Sequence, residues 1–347
     1  MPNICEYFSK KEKVWKNFSD HVVYKEYFLT PPVNYTSKNR ASLWHINGCL
    51  PRLDSVNRKF IIDVEHPIML SGDSRNYRTM IKNKEEIKTV LSSDYCKKIL
   101  PFSEEAKNEL LYYLGLEKNV INKIEVLYPS ITRKTIRVKK VSEKDAIIFL
   151  HVGNKFYGKG TGELIEAIKI LEKKYKNKFI CHIVCNDLRN VDYNGNSIIW
   201  HKNISYIKLY DLYKKSHIFV LPLLQDSFGV YLECLAFGLP MISTGIYDKK
   251  EIISDKYNGI LINAPYSLYD HNYIFKKWNN WDEFCDYVKT HLSYEFVEEI
   301  YMKMKFCIEN TEEIERMSKN MFAVLDRRFL TKLKNEKLRR IYRESMS

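Results

Sequence analysis

The feature that most constrains the fold of this chain is an alternation of short apolar runs and helical patterns through its second half. The run AIIFLHVG (146–153) is apolar and ends in glycine, which is typical of a strand buried on both faces. Apolar residues then recur at helical spacing, at Leu164, Ile165, Ile168 and Leu171. The sequence therefore predicts a strand, a loop and a helix in this order.

The same pattern is repeated further along the chain. Strands are predicted at 179–184, 217–223 and 240–244, and helices at 209–216 and 230–238. Strands and helices that alternate at these lengths form right-handed βαβ units, in which the strands are parallel. We therefore expect an α/β domain with a parallel sheet.

The first part of the chain is less regular but contains units of the same kind. Strands are predicted at 59–66 and 97–102. Ser103 is placed to cap a helix over 104–115, whose first turn carries two glutamates. These elements predict a second α/β domain.

The charged stretch 133–145 has no long apolar run, and we predict that it links the two domains. The boundary is therefore placed near residue 140. Residues 1–140 and 141–325 form the two predicted domains, and residues 326–347 form a basic C-terminal helix.

The composition excludes several classes of protein. At 347 residues, 45% of them hydrophobic, the chain has enough apolar surface for two cores and differs from disordered and collagen-like proteins. No apolar run approaches the roughly 18 residues of a membrane-spanning helix, and the first residues do not resemble a signal peptide. The eight cysteines are scattered and lack the paired spacing of a zinc site. We therefore expect a cytoplasmic protein with reduced, mostly buried thiols.

The net charge of +13 is concentrated at the two ends of the chain. Residues 1–140 carry 25 Lys and Arg against 16 Asp and Glu, and residues 326–347 carry 8 against 3. Such segments are typical of contact with nucleic acid, an anionic membrane surface or a phosphorylated substrate. No RRM or zinc-finger pattern is present, so we expect no nucleic-acid partner. A peripheral membrane contact and an ordinary solvated surface both stay open.

A loop rich in glycine and lysine follows the first strand of the second domain. It begins at Gly153, and the next helix begins near Thr161, so backbone N–H groups and the positive end of the helix dipole face the loop. Lys155 and Lys159 add positive charge that suits a phosphate. The loop is therefore a candidate anion site, with a simple tight turn as the alternative. His151, at the end of the strand, is predicted to be a hydrogen-bonded core residue.

A second loop of this kind, DSFG (226–229), follows the strand predicted at 217–223. The next helix starts near Val230, and Glu233 lies about one turn inside it. In an open doubly wound sheet, ligands bind outside the carboxyl ends of the strands, where both loops lie. A diphosphate between the two helix N-termini, with the ribose hydroxyls on Glu233, forms a coherent nucleotide site. A solvated Glu233 on a surface helix is the alternative.

Several motifs in these two loops resemble those of one enzyme family. They are Lys159-Gly160, then Asp226-Ser227-Phe228-Gly229, then Glu233-Cys234-Leu235-Ala236-Phe237-Gly238-Leu239-Pro240, and KYNGILI at 256–262. In this order and spacing they resemble the retaining GT-B glycosyltransferases of family 4. The resemblance covers residues 146–263 and is weaker over residues 1–140.

The resemblance has two departures. The family has two glutamates separated by seven residues, whereas six residues separate Asp226 and Glu233, and a seven-residue gap would begin at Gln225. The phosphate-binding arginine of the family falls at Asn154 or Lys155, so Lys155 is expected to replace it.

The resemblance implies a GT-B fold, with two Rossmann-like domains that face a cleft. It makes residues 1–140 a reduced acceptor-side domain and residues 141–325 the domain that binds the nucleotide sugar. The C-terminal helix, residues 326–347, would cross back to pack on the N-terminal domain.

The resemblance also implies a reaction. A sugar would be transferred from a nucleoside-diphosphate sugar, with UDP or GDP as the nucleotide, to a glycan or lipid-linked acceptor, with retention and with neither a metal nor a further cofactor. Glu233 would hold the ribose and Asp226 the sugar hydroxyls. The departing diphosphate would be stabilised by Lys155, Lys159 and the Phe228 and Gly229 amides, with Gly153, Asn154, Ser227 and Val230 lining the donor site.

Asp63, Glu65 and His66 are the candidate residues of the N-terminal domain. They follow the apolar residues KFII (59–62) of a predicted strand, and His66 is expected to contact the donor while Asp63 and Glu65 orient the acceptor. Structural hydrogen bonding at the strand end is the alternative.

Three other functions stay open at this point. Two are enzymatic, a GT-B sugar-nucleotide epimerase and a phosphorylase, and the second is weakened because no lysine site for pyridoxal phosphate is evident. The third is a GT-B protein that binds the nucleotide sugar without turnover.

Overall fold

The computed structural model describes residues 4–7, 43–47, 50, 58–71, 77–142, 145–187, 191, 193–224, 228–266, 278 and 281–347. The chain divides into two compact units. Unit 1 comprises Met1–Ile131, His271–Asn280 and Arg328–Ser347, and unit 2 comprises Thr132–Asp270 and Trp281–Arg327.

The described strands are β1 (Ile4–Tyr7), β2 (Leu43–Asn47), β3 (Phe60–Val64), β4 (Cys96–Pro101), β5 (Ile147–Val152), β6 (Phe179–Val184), β7 (Ile198–His201), β8 (Ile218–Leu221), β9 (Met241–Thr244) and β10 (Gly259–Ile262). The described α-helices are α1 (Tyr77–Lys82), α2 (Lys84–Ser92), α3 (Glu104–Leu114), α4 (Lys118–Ile121), α5 (Thr161–Tyr175), α6 (Tyr206–Lys215), α7 (Gly229–Ala236), α8 (Lys249–Ile252), α9 (Trp281–Thr290), α10 (Tyr294–Glu309), α11 (Thr311–Val324) and α12 (Thr331–Met346).

Unit 1 contains a parallel sheet in the order β1-β2-β3-β4. Strand β3 lies between β2 and β4 in this sheet. All five of its residues are buried, as is typical of a strand covered on both faces of a parallel sheet. The helix predicted after Ser103 is present as α3. The Ser103 hydroxyl accepts a hydrogen bond from the Ala106 amide at 2.9 Å, and Gly115 ends the helix at a φ of 54°.

The C-terminal helix α12 packs on the sheet of unit 1. Leu338 and Ile341 of the helix join a buried cluster with Ile61 and Leu100 of the strands. The helix begins at Thr331 rather than at the predicted residue 326, because residues Leu325–Phe329 form a π-helical turn. The predicted return of the C-terminal helix to the N-terminal domain is thus confirmed.

In the described part of unit 2, six parallel strands form a sheet in the order β10-β9-β8-β5-β6-β7. This is the strand order of a doubly wound nucleotide-binding fold. The chain moves outward in one direction from β5 to β7 and in the other direction from β8 to β10. The order therefore reverses between β5 and β8, which pair side by side.

The charged stretch 133–145 does not act as a linker. The Lys134 amide donates to the Ala236 carbonyl at 3.0 Å, and the Lys139 amide donates to the Ser318 hydroxyl at 2.9 Å. These hydrogen bonds hold the stretch on unit 2. The chain therefore passes between the units at Ile131 and Thr132 rather than near residue 140.

No helix in the described part of the chain is both long and apolar enough to cross a membrane. Among the cysteines whose surroundings the structure describes, five have free, buried thiols, namely Cys96, Cys181, Cys185, Cys234 and Cys307. Burial raises the pKa of the Cys96 thiol to about 12, so this thiol stays protonated at neutral pH.

Candidate functional site

Two loops leave the sheet of unit 2 where its strand order reverses. One follows β5 at residues 153–160, and the other follows β8 and is described at residues 222–224 and at Phe228, at the same carboxyl edge of the sheet. The Leu224 amide of the second loop donates to the Gly158 carbonyl of the first at 3.0 Å. The two loops that the sequence predicts to bind an anion are therefore in contact, at the point where ligands bind in doubly wound sheets.

Two glycines allow the close approach of the chain in the first loop. Gly160 has a φ of 64°, and a Cβ atom there would lie 2.0 Å from the Pro222 carbonyl oxygen. A Cβ atom at Gly153 would lie 2.7 Å from Cγ of Lys159. Since neither position has room for a side chain, the shape of this loop depends on both glycines.

The loop presents its two lysines differently. The stem of Lys159 lies against Gly153, and the residue is 9% exposed. Asn154 and Lys155, in contrast, are exposed to solvent. Lys159 is therefore fixed in the loop beside the start of α5, whereas Lys155 lies at its outer face.

His151 is confirmed as a core residue. Its Nδ1 lies 2.9 Å from the Val220 carbonyl oxygen and its Nε2 lies 2.9 Å from the Thr161 hydroxyl. Because a carbonyl only accepts, Nδ1 carries the proton and Nε2 accepts from Thr161. Burial lowers the His151 pKa to about 4, so the ring is neutral and joins β5, β8 and the first turn of α5.

Glu163 is a residue of this region that the sequence reasoning missed. It lies in the first turn of α5 and is only 3% exposed. Burial raises the pKa of its carboxyl group to about 7. An acidic residue in a first helical turn is ordinarily an exposed partner of the helix dipole, so no local pattern indicates this burial.

The second loop is held by a buried cation that the sequence reasoning also missed. Lys249 is fully buried beside Asp248, and its Nζ lies 5.5 Å from the ring centre of Phe228 and 5.3 Å from that of Tyr231. Phe228 immediately precedes α7. This contact fixes the start of the helix whose N-terminus faces the candidate site.

Of the other residues predicted in the second loop, the structure describes two and leaves two outside the described residues. Gly229 and Val230 are half-buried and form the first turn of α7, where backbone amides point out of the helix. Asp226 and Ser227 lie outside the described residues, as does Gln225. The geometry of the first carboxylate therefore stays a prediction.

Glu233 is not a solvated surface residue. It is 5% exposed, and Oε2 of its carboxylate accepts a hydrogen bond from the Tyr213 hydroxyl at 2.6 Å. Tyr213 lies in α6 and is itself fully buried. The carboxylate is therefore oriented by the protein, and its contact with a ribose stays a prediction.

The three candidates of unit 1 lie in a different environment. Oδ1 of Asp63 lies 2.9 Å from Nε2 of His45, and His66 Nδ1 lies 3.3 Å from a Glu109 carboxylate oxygen. Asp63, His66 and Glu109 are buried, and Glu65 is half-buried. Asp63 and His66 thus have internal partners, which favours the structural alternative, and their roles toward donor and acceptor stay predictions.

The family comparison agrees with the site in unit 2. Residues 132–270 match the family described as Glycosyl transferases group 1. This segment contains both loops and Glu233. The predicted resemblance is confirmed over these residues.

Two curated relatives match parts of the chain. An uncharacterized glycosyltransferase of Methanocaldococcus jannaschii is 27% identical over 220 residues, which are 60% of this chain and 57% of the relative. The lipopolysaccharide glucosyltransferase WaaG of Escherichia coli is 24% identical over 152 residues, which are 42% of this chain and 41% of the relative. The chain thus spans about half the length of the curated relatives that it matches.

A solved structure matches more of the chain. HepE of Anabaena, in complex with UDP, is 14% identical with a TM-score of 0.57, and the match covers 86% of this chain and 78% of that one. Together with the parallel sheets and the C-terminal helix, this likeness confirms the predicted GT-B fold.

Proposed function

We propose that this chain, whose residues 132–270 match the glycosyl transferases group 1, transfers a glycosyl group from a nucleoside-diphosphate sugar to an acceptor hydroxyl. One observation supports this proposal above the others. The strand order of unit 2 reverses between β5 and β8, and the loops that leave there bring a fixed lysine and the starts of α5 and α7 to one edge of the sheet.

The diphosphate of the donor would bind at this edge. The N-termini of α5 and α7 supply oriented amides and partial positive charge, and Lys159 supplies a formal charge. Lys155, at the outer face of the loop, is placed to add a second charge. These groups would stabilise the negative charge that grows on the diphosphate as the glycosidic bond breaks.

Glu233 would accept hydrogen bonds from the ribose. Tyr213 already donates to one of its oxygens and so holds the carboxylate in one orientation. We propose UDP as the nucleotide, because the Anabaena protein was solved with UDP and with UDP-glucose. GDP is the alternative.

In the proposed reaction, an oxygen of the acceptor hydroxyl attacks the anomeric carbon and the bond from this carbon to the diphosphate oxygen breaks. The attack takes place on the face from which the diphosphate leaves, so the configuration is retained. The acceptor proton moves to the departing diphosphate oxygen, so no protein base is required. Asp226 is proposed to hold the sugar hydroxyls. We propose a glycan or lipid-linked acceptor, in keeping with the named activity of the Escherichia coli relative.

No divalent metal is required in this proposal, because lysines and helix N-termini supply the positive charge. Within the described residues, no group of three or more His, Cys, Asp and Glu is arranged to hold a metal ion. We expect transfer to continue in excess EDTA. Loss of activity that Mg²⁺ or Mn²⁺ restores would contradict this part of the proposal.

We propose that α12 makes a peripheral contact with an anionic membrane. Only some of its basic residues are available for this contact. Lys337 and Arg340 pair with Glu125, so they are partly neutralised. Lys332, Arg339 and Arg343 are exposed. Sedimentation with anionic but not neutral vesicles at low salt is the expected result, and equal recovery with both would contradict it.

The proposal is tested by a nucleotide titration. UDP, GDP and ADP are added to the wild-type chain and to Lys159→Ala, with Lys173→Ala, an exposed lysine of α5, as the matched control. We expect one nucleotide to bind the wild type, and Lys159→Ala to weaken this binding by about 2 kcal/mol, or about 30-fold, since a charge-assisted contact is lost. Unchanged affinity in Lys159→Ala would contradict the site.

A second measurement separates an enzyme from a binding protein. The chain is incubated with the nucleoside-diphosphate sugar of the nucleotide that binds, and ³¹P NMR follows the release of the free nucleoside diphosphate, with water as the acceptor of the sugar. Slow release that Lys159→Ala reduces supports the enzyme. Binding with no release, with or without added sugar acceptors, would indicate a binding protein.

A further inference from the structure

A second basic region of unit 2 lies away from the candidate donor site. It is a cavity of about 670 Å³ lined by Arg137, Lys139, Lys140, Lys214, Lys215 and His217. None of the described residues that line it is acidic. This cavity has no role in the proposed glycosyl transfer.

The cavity lies at the amino edge of the unit 2 sheet. His217 immediately precedes β8, and its ring accepts a hydrogen bond at Nδ1 from the Ile148 amide, near the start of β5, at 3.0 Å. The donor loops leave the opposite ends of these same parallel strands. Since β5 has six residues at about 3.3 Å each, the two regions are separated by roughly the length of the strand, or about 20 Å.

Part of the basic charge is explained by the end of helix α6. The Lys139 ammonium donates to the carbonyls of Tyr213 and Lys214, at 2.6 and 2.7 Å, and so caps this helix C-terminus. Lys139 is 6% exposed. Lys139 is therefore buried because it caps α6, whereas this capping does not account for the other basic residues of the cavity.

The other cations are only partly neutralised. Lys140 lies 3.5 Å from Glu315 and Lys214 lies 3.7 Å from Asp211, and all four side chains are partly or largely exposed, so these pairs are weak. Within the described part of the chain, neither Arg137 nor Lys215 makes an ion pair. Their positive charge is therefore left to a ligand or to solvent ions.

His217 adds a directed donor to this set of cations. Because its Nδ1 accepts from the Ile148 amide, the proton of the neutral ring is on Nε2. Burial and the nearby Lys139 lower the His217 pKa against the opposing charge of Asp145, and the lowered pKa keeps the ring neutral at pH 7. Cations together with a ring N–H are the groups that bind phosphate oxygens.

We propose that this cavity is a second anion site, which binds a soluble ligand with two or more phosphate groups, separate from the sugar donor. A single phosphate would meet only some of the cations, whereas a chain of phosphates would reach Arg137 and Lys215 together. The guanidinium of Arg137 suits paired phosphate oxygens. The inference depends on the cavity alone and holds whether or not the chain transfers sugars.

The test is a calorimetric titration with inorganic tripolyphosphate at low salt. Arg137→Gln/Lys215→Gln removes two charges of the cavity, and Lys173→Gln/Lys202→Gln removes two exposed charges elsewhere in unit 2. We expect the cavity variant to bind at least about tenfold more weakly than wild type and the control to bind within about twofold, because only the first loses charge-assisted contacts. Thermal unfolding without ligand should be the same for both variants.

Two further measurements show which site binds tripolyphosphate and whether the phosphate comes from a soluble ligand or from a lipid. Lys159→Ala should keep tripolyphosphate binding, and Arg137→Lys should keep part of it. Binding that Lys159→Ala abolishes, equal weakening in the two double variants, or no binding to wild type would each overturn the proposal. Binding to phosphatidylglycerol vesicles that Arg137→Gln/Lys215→Gln abolishes, without tripolyphosphate binding, would overturn it in favour of a lipid surface.

Discussion

The two sheets of this protein both place polar residues where their strands end, but they use them differently. In unit 1, Asp63 and His66 are buried against His45 and Glu109. In unit 2, the strand β5 ends in a loop in which two glycines let the Pro222 backbone and the stem of Lys159 come close. The first set is part of the core, whereas the second leaves helix N-termini available to an anion.

The difference shows that polar residues at a strand end do not by themselves make a site. A carboxylate or imidazole near a core finds an internal partner, since a buried polar group without one is costly. A loop in which glycines permit close backbone contacts instead brings helix N-termini and lysines to one edge of the sheet, where an anion is favoured. Glycine positions therefore separate the two cases better than the charged residues do.

Breaking the pair in unit 1 is expected to have the largest effect. Asp63→Ala removes the buried carboxylate that lies 2.9 Å from Nε2 of His45, and the cavity together with the exposed polar contact should lower the free energy of unfolding by about 4 kcal/mol. Chemical denaturation measures this loss, and activity per folded molecule should be unchanged. A stable Asp63→Ala variant without activity would instead support the predicted acceptor role of Asp63.

A double-mutant cycle serves as the control. Because His45→Ala removes the same contact, the combined variant should cost much less than the sum of the two single variants. Additive losses would show that the two side chains do not interact.

A pair of glycine variants compares the two units directly. Gly160 and Gly115 have similar φ values of 64° and 54°, but a Cβ atom at Gly160 would overlap the Pro222 carbonyl, whereas one at Gly115 has no neighbour within 4 Å. We expect Gly160→Ala to cost about 3 kcal/mol and Gly115→Ala about 1 kcal/mol, since both lose the left-handed preference and only the first adds a clash. Denaturation curves measure both. Equal costs would contradict the close approach.

Glu163 gives a smaller effect that depends on pH. Its pKa is about 7 in the folded chain and lies near 4.5 in the unfolded chain, so raising the pH through this interval ionises the unfolded state first and lowers stability. Glu163→Gln should therefore stabilise the protein by on the order of 2 kcal/mol at pH 8 and have little effect at pH 4.5. Stability measured against pH tests this, and a gain that is the same at both pH values would contradict the burial of an ionisable group.

The parts of the fold that the sequence predicted are those set by local patterns. The apolar runs located β3, β4, β5, β6 and β8, and Ser103 and Gly115 marked the ends of α3. The glycine and lysine loop after β5 was recognisable because its residues are consecutive. The likeness to a family then placed both loops at one site.

The internal partners could not be predicted, because they are distant along the chain. His45 contacts Tyr342, which is 297 residues away, and Glu233 is held by Tyr213 from another helix. The burial of Glu163 and Lys249 likewise follows from packing of several elements around them. The boundary at residue 140 was wrong for the same reason, since Lys134 and Lys139 look like linker residues until their partners in unit 2 are known.

Hydrogen exchange with and without UDP tests the central claim most directly. If the two loops of unit 2 hold the diphosphate, UDP should slow amide exchange in peptides that cover 154–162 and 228–232, and should leave 60–66 in unit 1 unchanged. Lys159→Ala should remove most of this protection at the same UDP concentration. Protection confined to unit 1, or bound UDP without protection at either loop, would contradict the account.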